Sequence, residues 1–448
     1  MENTQKKSSF IPIVMMILLF GMIGFVTNIA APAGAIWMGK YDGINAIGML
    51  GNLMNFLAYL IMGVPAGLLL QKIGYKKTAL TAIVVGFVGV FIQFISGKLS
   101  GDSGFVTYLT GAFIAGFSMC MLNTVVNPML NTLGISRAKA KGKSDDDAGK
   151  SGNSLLQLGN SFNSLMGTIA PVFVGALIGT VVTEKMHAAD PSLTVTVFSN
   201  INLVLYISMA IFAIVGIVLA IVDIPDPEVE KIGEVKSPWQ FRHFVLGAIG
   251  IFIYVGVEVG IPGTMNFFLQ NLKEGALSPS AAGTVVATYW FLMLIGRLAG
   301  AGIAAKVKSR NLLAVVVSAA LVLVAMGMLM PQTVMVSMPV FSQFTIAMQI
   351  VPISALLFVL VGLCTSVMWG GIFNLAVEGL GASVKKASGI FMMMVVGGGI
   401  LPLLQNGIVD WTNKNYMISY IVPLLGLAYL LFYALIGSKS VNKNNQQI

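Results

Sequence analysis

Charge is what this sequence has least of. Only 10% of its 448 residues are Asp, Glu, Lys or Arg, too few to solvate the surface of an ordinary soluble domain. Histidine is limited to His187 and His243, and cysteine to Cys120 and Cys364, each inside an apolar run. That scarcity gives no basis for a disulfide framework or a metal cluster. It also leaves no acid pair and no His–Cys constellation for an integral-membrane enzyme, with both histidines read as loop residues. Gly397, Gly398 and Gly399 are not a phosphate loop, because no strand precedes them and no Gly-Lys-Ser/Thr follows. The net charge of +9 forms no patch. Its cations are scattered through short loops, which argues against nucleic acid. No cofactor is expected.

What fills the space is hydrophobic: 56% of the residues are apolar. Twelve segments approach the roughly 20 residues that cross a bilayer. They fall near 11–38, 44–70, 78–96, 105–134, 151–182 and 201–222, then 244–271, 283–305, 312–330, 351–380, 389–409 and 417–437. The first begins after Lys6 and Lys7 and could imitate a signal peptide, but it runs too long and reads as an uncleaved span. An apolar loop after Pro331 joins the ninth and tenth. Alternating the loops puts about twenty cations on the side of both termini and five, Lys40, Lys98, Lys185, Lys273 and Lys414, on the other. The positive-inside rule makes the termini cytoplasmic. Asp145, Asp146 and Asp147 among lysines read as a solvated loop. The expected fold is all-α and integral to the membrane: two pseudo-symmetric six-helix bundles, 1–223 and 244–448, joined by a cytoplasmic loop at 224–243.

Polar residues inside the spans are therefore the informative ones. Asn123 and Asn127 are spaced i,i+4, and Gln157 and Asn160 i,i+3, with Asn163 following, so each pair shares a helical face. Pro128 and Pro171 free the carbonyls of Thr124 and Gly167. Such groups are costly in hydrocarbon unless they meet each other, water or a ligand. They point to a hydrophilic cavity, the bland alternative being interhelical glue. Pro32 and Pro262 likewise free the carbonyls of Asn28 and Glu258 in the first and seventh spans. That echo, repeated between Gly167–Pro171 and Gly398–Pro402 in the fifth and eleventh, suggests internal duplication with a site between the halves. Glu258 is the one carboxylate placed mid-span. Glu378 and Arg297 are read at the cytoplasmic ends of the tenth and eighth spans, Arg297 as a gate or packing residue. With no cation at mid-depth, an anionic substrate has no counter-charge, so amides favour a neutral, hydroxyl-rich one. Asn266 should join the cavity, and Trp290 or Trp369 could stack on a sugar face.

The run NTVVNP at 123–128 and the Asn/Gln-rich segment with SFNS resemble the fourth and fifth helices of the fucose–proton symporter and glucose/galactose transporter branch of the major facilitator superfamily. GVPAGLLLQKIGYKK (63–77), YVGVEV (254–259), YWFLMLIGR (289–297), IFNLAVEGLG and VVGGGILPLLQ match in the same order. The resemblance implies a sugar carrier working by alternating access in the inner membrane. It implies sugar-site roles for Asn28, Asn160 and Asn163, and a cytoplasmic gating motif of Gly67, Lys72, Gly74, Lys76 and Lys77. The branch's two protonation sites fall on Ala31 and Asn123, which cannot titrate. A co-transported cation, proton ahead of sodium, is then left to Glu258. An uncoupled facilitator, an exporter of small polar or amphipathic compounds, and a sugar sensor are the alternatives.

Overall fold

The structure, a computed structural model, describes residues 2–439 apart from Ser100, 179–180, Thr183, Leu193, Asp223, 225–236, 305–306, 343–344 and 381–383. The long helices of the first half are α1 (Glu2–Lys40), α2 (Asn45–Ser96), α3 (Gly101–Lys139) and α4 (Asp145–Ile178). The short α5 (Glu184–Ala189) and then α6 (Asn202–Ile221) complete it. The second half holds α7 (Arg242–Gln270), α8 (Pro279–Ala304) and α9 (Ser309–Leu329). Three broken helices follow: α10 (Ile353–Thr365) with α11 (Met368–Val377), α12 (Val384–Met394) with α13 (Gly397–Trp411), and α14 (Tyr416–Ser419) with α15 (Ile421–Phe432).

Eleven of the described stretches are long and apolar enough to cross a membrane, and one of them is folded double. The 52 residues of α2 would extend about 78 Å if straight, against roughly 30 Å of hydrocarbon. Gly74 breaks it, with φ 80° and ψ 174°, a left-handed backbone that glycine adopts without steric cost. Asn55 and Gln93, nineteen residues to either side of Gly74, line the same small interior pocket. The two arms thus lie antiparallel and make two crossings, the expected second and third spans.

Helices α1 to α6 pack on one another, as do α7 to α15, and the two sets meet along α4–α8, α2–α12, α2–α13 and α1–α7. The glycine run makes part of that seam. A Cβ on Gly397 would run into the Phe252 carbonyl oxygen, and one on Gly399 would lie 3.0 Å from Leu53 Cα. Only glycine brings α13 this close to α7 and α2 together.

Three readings need correction. The loop after Pro331 is an antiparallel hairpin, β1 (Met335–Ser342) paired with β2 (Thr345–Pro352), a small strand pair in an otherwise helical membrane fold. The Phe341 N–H donates to Thr288 Oγ1 and the Phe341 ring stacks on Phe291, which fastens the hairpin to α8. His243 is not in a loop: it is buried in the first turn of α7, its Nε2 2.8 Å from the carbonyl of Glu378 at the end of α11. His187 lies on α5. Most of the expected linker, 225–236, falls outside the described residues, as do the side chains of Lys306, Lys385 and Lys386.

Candidate cavity between the halves

A cavity of about 150 Å³ lies on the seam. Asn28 of α1, Asn123 and Asn127 of α3 and Asn160 and Asn163 of α4 line it from one half. Glu258 and Asn266 of α7, Trp290 and Arg297 of α8 and Trp369 of α11 line it from the other. Each proline in this set marks a helix that gives up a backbone bond beside the cavity: Pro171 in α4 and Pro262 in α7 both border it.

The amides of the first half mostly bond locally. Asn28 Nδ2 donates to Gly24 O at 2.8 Å, Asn127 Nδ2 to Asn123 O at 2.8 Å and Asn160 Nδ2 to Leu156 O at 3.2 Å, each one turn back. Asn123 Nδ2 donates to both Met119 O and Tyr59 OH at 3.0 Å. Asn163 Nδ2 reaches Phe20 O on α1 at 3.3 Å. An amide carries two N–H donors and an oxygen with two lone pairs. After these bonds, Asn28, Asn127 and Asn160 keep acceptor capacity on the cavity wall.

The second half supplies charge. Glu258 Oε1 accepts from Tyr254 OH at 2.7 Å and pairs with Arg297 Nη2 at 3.2 Å. Arg297 Nη1 also donates to Asn160 O at 2.8 Å and Ser164 Oγ at 2.6 Å. Both charged side chains are little exposed, 10% for Arg297 and 13% for Glu258. One guanidinium therefore ties the carboxylate of α7 to the backbone and a hydroxyl of α4 in the opposite half. Tyr254 OH also contacts Thr365 O at 3.3 Å, and Tyr289 OH lies 3.1 Å from Thr365 Oγ1, which carries the polar network into α10.

Of the nine residues expected around a ligand, eight line the cavity; Gln157 does not. It lies beside Gly370 of α11, its Nε2 3.4 Å from where a Cβ on that glycine would stand. The larger correction is Arg297, expected at a cytoplasmic end as a gate or packing residue. Helical side chains lean toward the N-terminus of their helix, so a residue in the last turns of α8 reaches back to mid-span. A cation does line the cavity, but Glu258 already balances it. Of the gating motif, Gly74 forms the bend, while Gly67, Lys72, Lys76 and Lys77 lie on α2 away from the cavity. Asn52, Tyr59 and Tyr254 also line the cavity and were missed. Asn52 Nδ2 donates 2.7 Å across the seam to Gly398 O. The i,i+3 spacing of Asn52 and Asn55 on α2 was the available signal.

No protein-family model matches the chain. A glucose/galactose transporter of Brucella abortus is 30% identical over 446 residues, covering 98% of this chain and 97% of the relative. The L-fucose-proton symporter of Escherichia coli is 22% identical, covering 86% of this chain and 83% of its own. Among solved structures, a major facilitator superfamily transporter, FucP, in the outward conformation superposes with TM-score 0.66 at 20% identity. It covers 97% of this chain and 100% of that one. The shared fold is two six-helix halves of a multi-pass membrane protein.

Proposed function

We propose, since this chain belongs to the glucose/galactose transporter family of the major facilitator superfamily, that it imports a neutral monosaccharide, hexose or deoxyhexose, by alternating access coupled to a proton. The termini face the cytoplasm and the membrane is the inner one. The observation that carries this reading is the cavity on the seam, walled by amides from one half and by a balanced ion pair from the other. A site on the seam is reached from either face as the halves rock. Its volume accommodates roughly ten water-sized occupants, a fair match to the oxygens and carbons of one hexose. Asn28, Asn123, Asn127, Asn160, Asn163 and Asn266 offer hydroxyl partners, and the rings of Trp290 and Trp369 offer faces for stacking. With Arg297 bound to Glu258, no counter-charge is left for an anionic substrate.

Glu258 is the coupling group. Ala31 and Asn123 cannot titrate, and Glu258 borders the cavity opposite Asn28. Protonation removes the negative partner of Arg297. The guanidinium then loses the ion pair that anchors it while it also holds Asn160 O and Ser164 of the other half. A proton on Glu258 thus loosens a contact between the halves, and by linkage any sugar-dependent closure changes proton affinity by the same factor. The family's L-fucose-proton symporter supports a proton over sodium. Labelled-sugar uptake into vesicles, with a proton or a sodium gradient imposed separately, tests the reading. Uptake that follows sodium alone, or neither gradient, rejects the proton; no sugar uptake at all rejects the carrier.

A further inference from the structure

Helix α2 starts without a cap of its own. The residue before it is Ile44, whose side chain makes no hydrogen bond to the helix. Helix starts leave backbone N–H groups unsatisfied, and Ser, Thr, Asp or Asn normally accepts from them. Here the acceptor comes from the other half of the molecule. Asp410, in the last turn of α13, accepts from the backbone N–H of Asn45 at 3.0 Å and of Ala46 at 2.8 Å. It also accepts from Asn45 Nδ2 at 2.9 Å. Tyr416 OH completes the cluster with a 2.6 Å bond to Asn45 Oδ1, and Lys414 Nζ bonds both Asp410 Oδ1 and the Gly43 carbonyl. A carboxylate at a helix N-terminus also meets the favourable end of the helix dipole, and bonds to an ionised acceptor are the strong ones.

The opposite end of the same seam is built differently. Gly63 of α2 touches Met393 of α12, whereas a Cβ on Gly67, one turn further on, would meet nothing within 4 Å among the described residues. The seam is fastened at the face that carries the α1–α2 and α13–α14 turns.

We propose that Asp410 is the outer latch of the transport cycle, a cap lent to α2 by the other half that must be withdrawn for the cavity to open outward. This rests on the alternating-access reading, though not on which sugar or cation is carried. A fixed capping residue would sit within one rigid half; Asp410 caps across the boundary along which the halves part. When the latch opens, the Asn45 and Ala46 amides, buried and half-buried while it is closed, pass to water beside the exposed Lys414, so the bonds are reversible. The latch sets the balance between outward-open and outward-closed forms without touching the cavity.

The test places spin labels on the exposed Leu99 of the first half and Trp411 of the second, as cysteines in the full chain, and reads the distance distribution without sugar. Both native cysteines are buried, which keeps labelling selective. The labelled parent should give a short distance. Asp410→Ala should raise the long-distance population by roughly tenfold or more, the factor that losing one net hydrogen bond to a charged group implies. Tyr416→Phe keeps the buried ring and removes only the bond to Asn45, so it should raise that population by a smaller factor. If Asp410→Ala does not accumulate, Tyr416→Phe and Lys414→Met carry the test. A distribution unchanged in every folded variant, with parental sugar uptake intact, overturns the latch and leaves the transport reading standing. Absent uptake in the parent is instead a failure of that reading.

Discussion

The two walls of the cavity are chemically unlike. The α1, α3 and α4 wall is neutral: five asparagines, four of them with an N–H turned back one helical turn. The α7, α8 and α11 wall carries Glu258, Arg297, Tyr254, Trp290 and Trp369. Duplicated halves could have kept the same residues, yet at matching places before a proline one has Asn28 and the other Glu258. The difference separates two jobs. A wall of amides can hold hydroxyl groups at any pH, since amides do not titrate. A wall with a carboxylate can respond to a proton, and Arg297 extends that response across the seam to Asn160 and Ser164.

The strongest way to break this contrast is to unbalance the charged wall. Arg297→Met leaves Glu258 buried without its cation, and breaking one partner of a buried pair costs about 3–5 kcal/mol. A fall in melting temperature and near-total loss of uptake are expected. The double variant Arg297→Met with Glu258→Gln should recover much of the stability and none of the coupled accumulation. A single variant as stable as the parent would mean that the pair is not held at this depth.

The neutral wall should respond more gently. Asn160→Ala and Asn163→Ala each remove a hydrogen-bonding group on the cavity wall, and a bond lost to a ligand there is worth roughly 0.5–1.5 kcal/mol and up to about 3 if a partner is left unsatisfied. Sugar affinity, read by thermal shift or binding, should weaken several-fold to about a hundredfold at unchanged protein level. Parental affinity in both would move the site off this wall. Asn160 has a second role through its carbonyl to Arg297, which the substitution retains. Gln157→Ala is the smallest change: outside the cavity, it should alter affinity by less than about twofold, within the range of substitutions remote from a site. A loss equal to that of Asn160→Ala would return Gln157 to the binding wall.

Much of this was legible in the chain because a bilayer imposes length. Apolar runs of the right size mark crossings whatever they pack against, so even the doubled α2 was divided correctly near Gly74. The hairpin β1–β2 was not legible. Ile346, Met348 and Ile350 do alternate along β2, but they are exposed, on the opposite face from the buried Met338 and Val340 of β1, so the pattern did not read as one apolar face turned to a core. Side-chain reach also escapes a one-dimensional reading. The position of Arg297 along α8 suggested a helix end, and only the backward lean of its long side chain brings the charge to Glu258. The reverse error placed Gln157 in the cavity: an i,i+3 step turns about 60° around the helix, enough to direct it to α11 instead.

The separation of binding from coupling is tested most directly at Glu258. Glu258→Gln keeps the shape and the ability to accept a hydrogen bond while removing the titration. In vesicles with an inward proton gradient, the parent should accumulate labelled sugar above the external level. Glu258→Gln should exchange sugar across the membrane at a comparable rate without accumulating it. If the variant still accumulates sugar when the gradient is applied, the proton is carried elsewhere and the division of labour between the two walls is wrong.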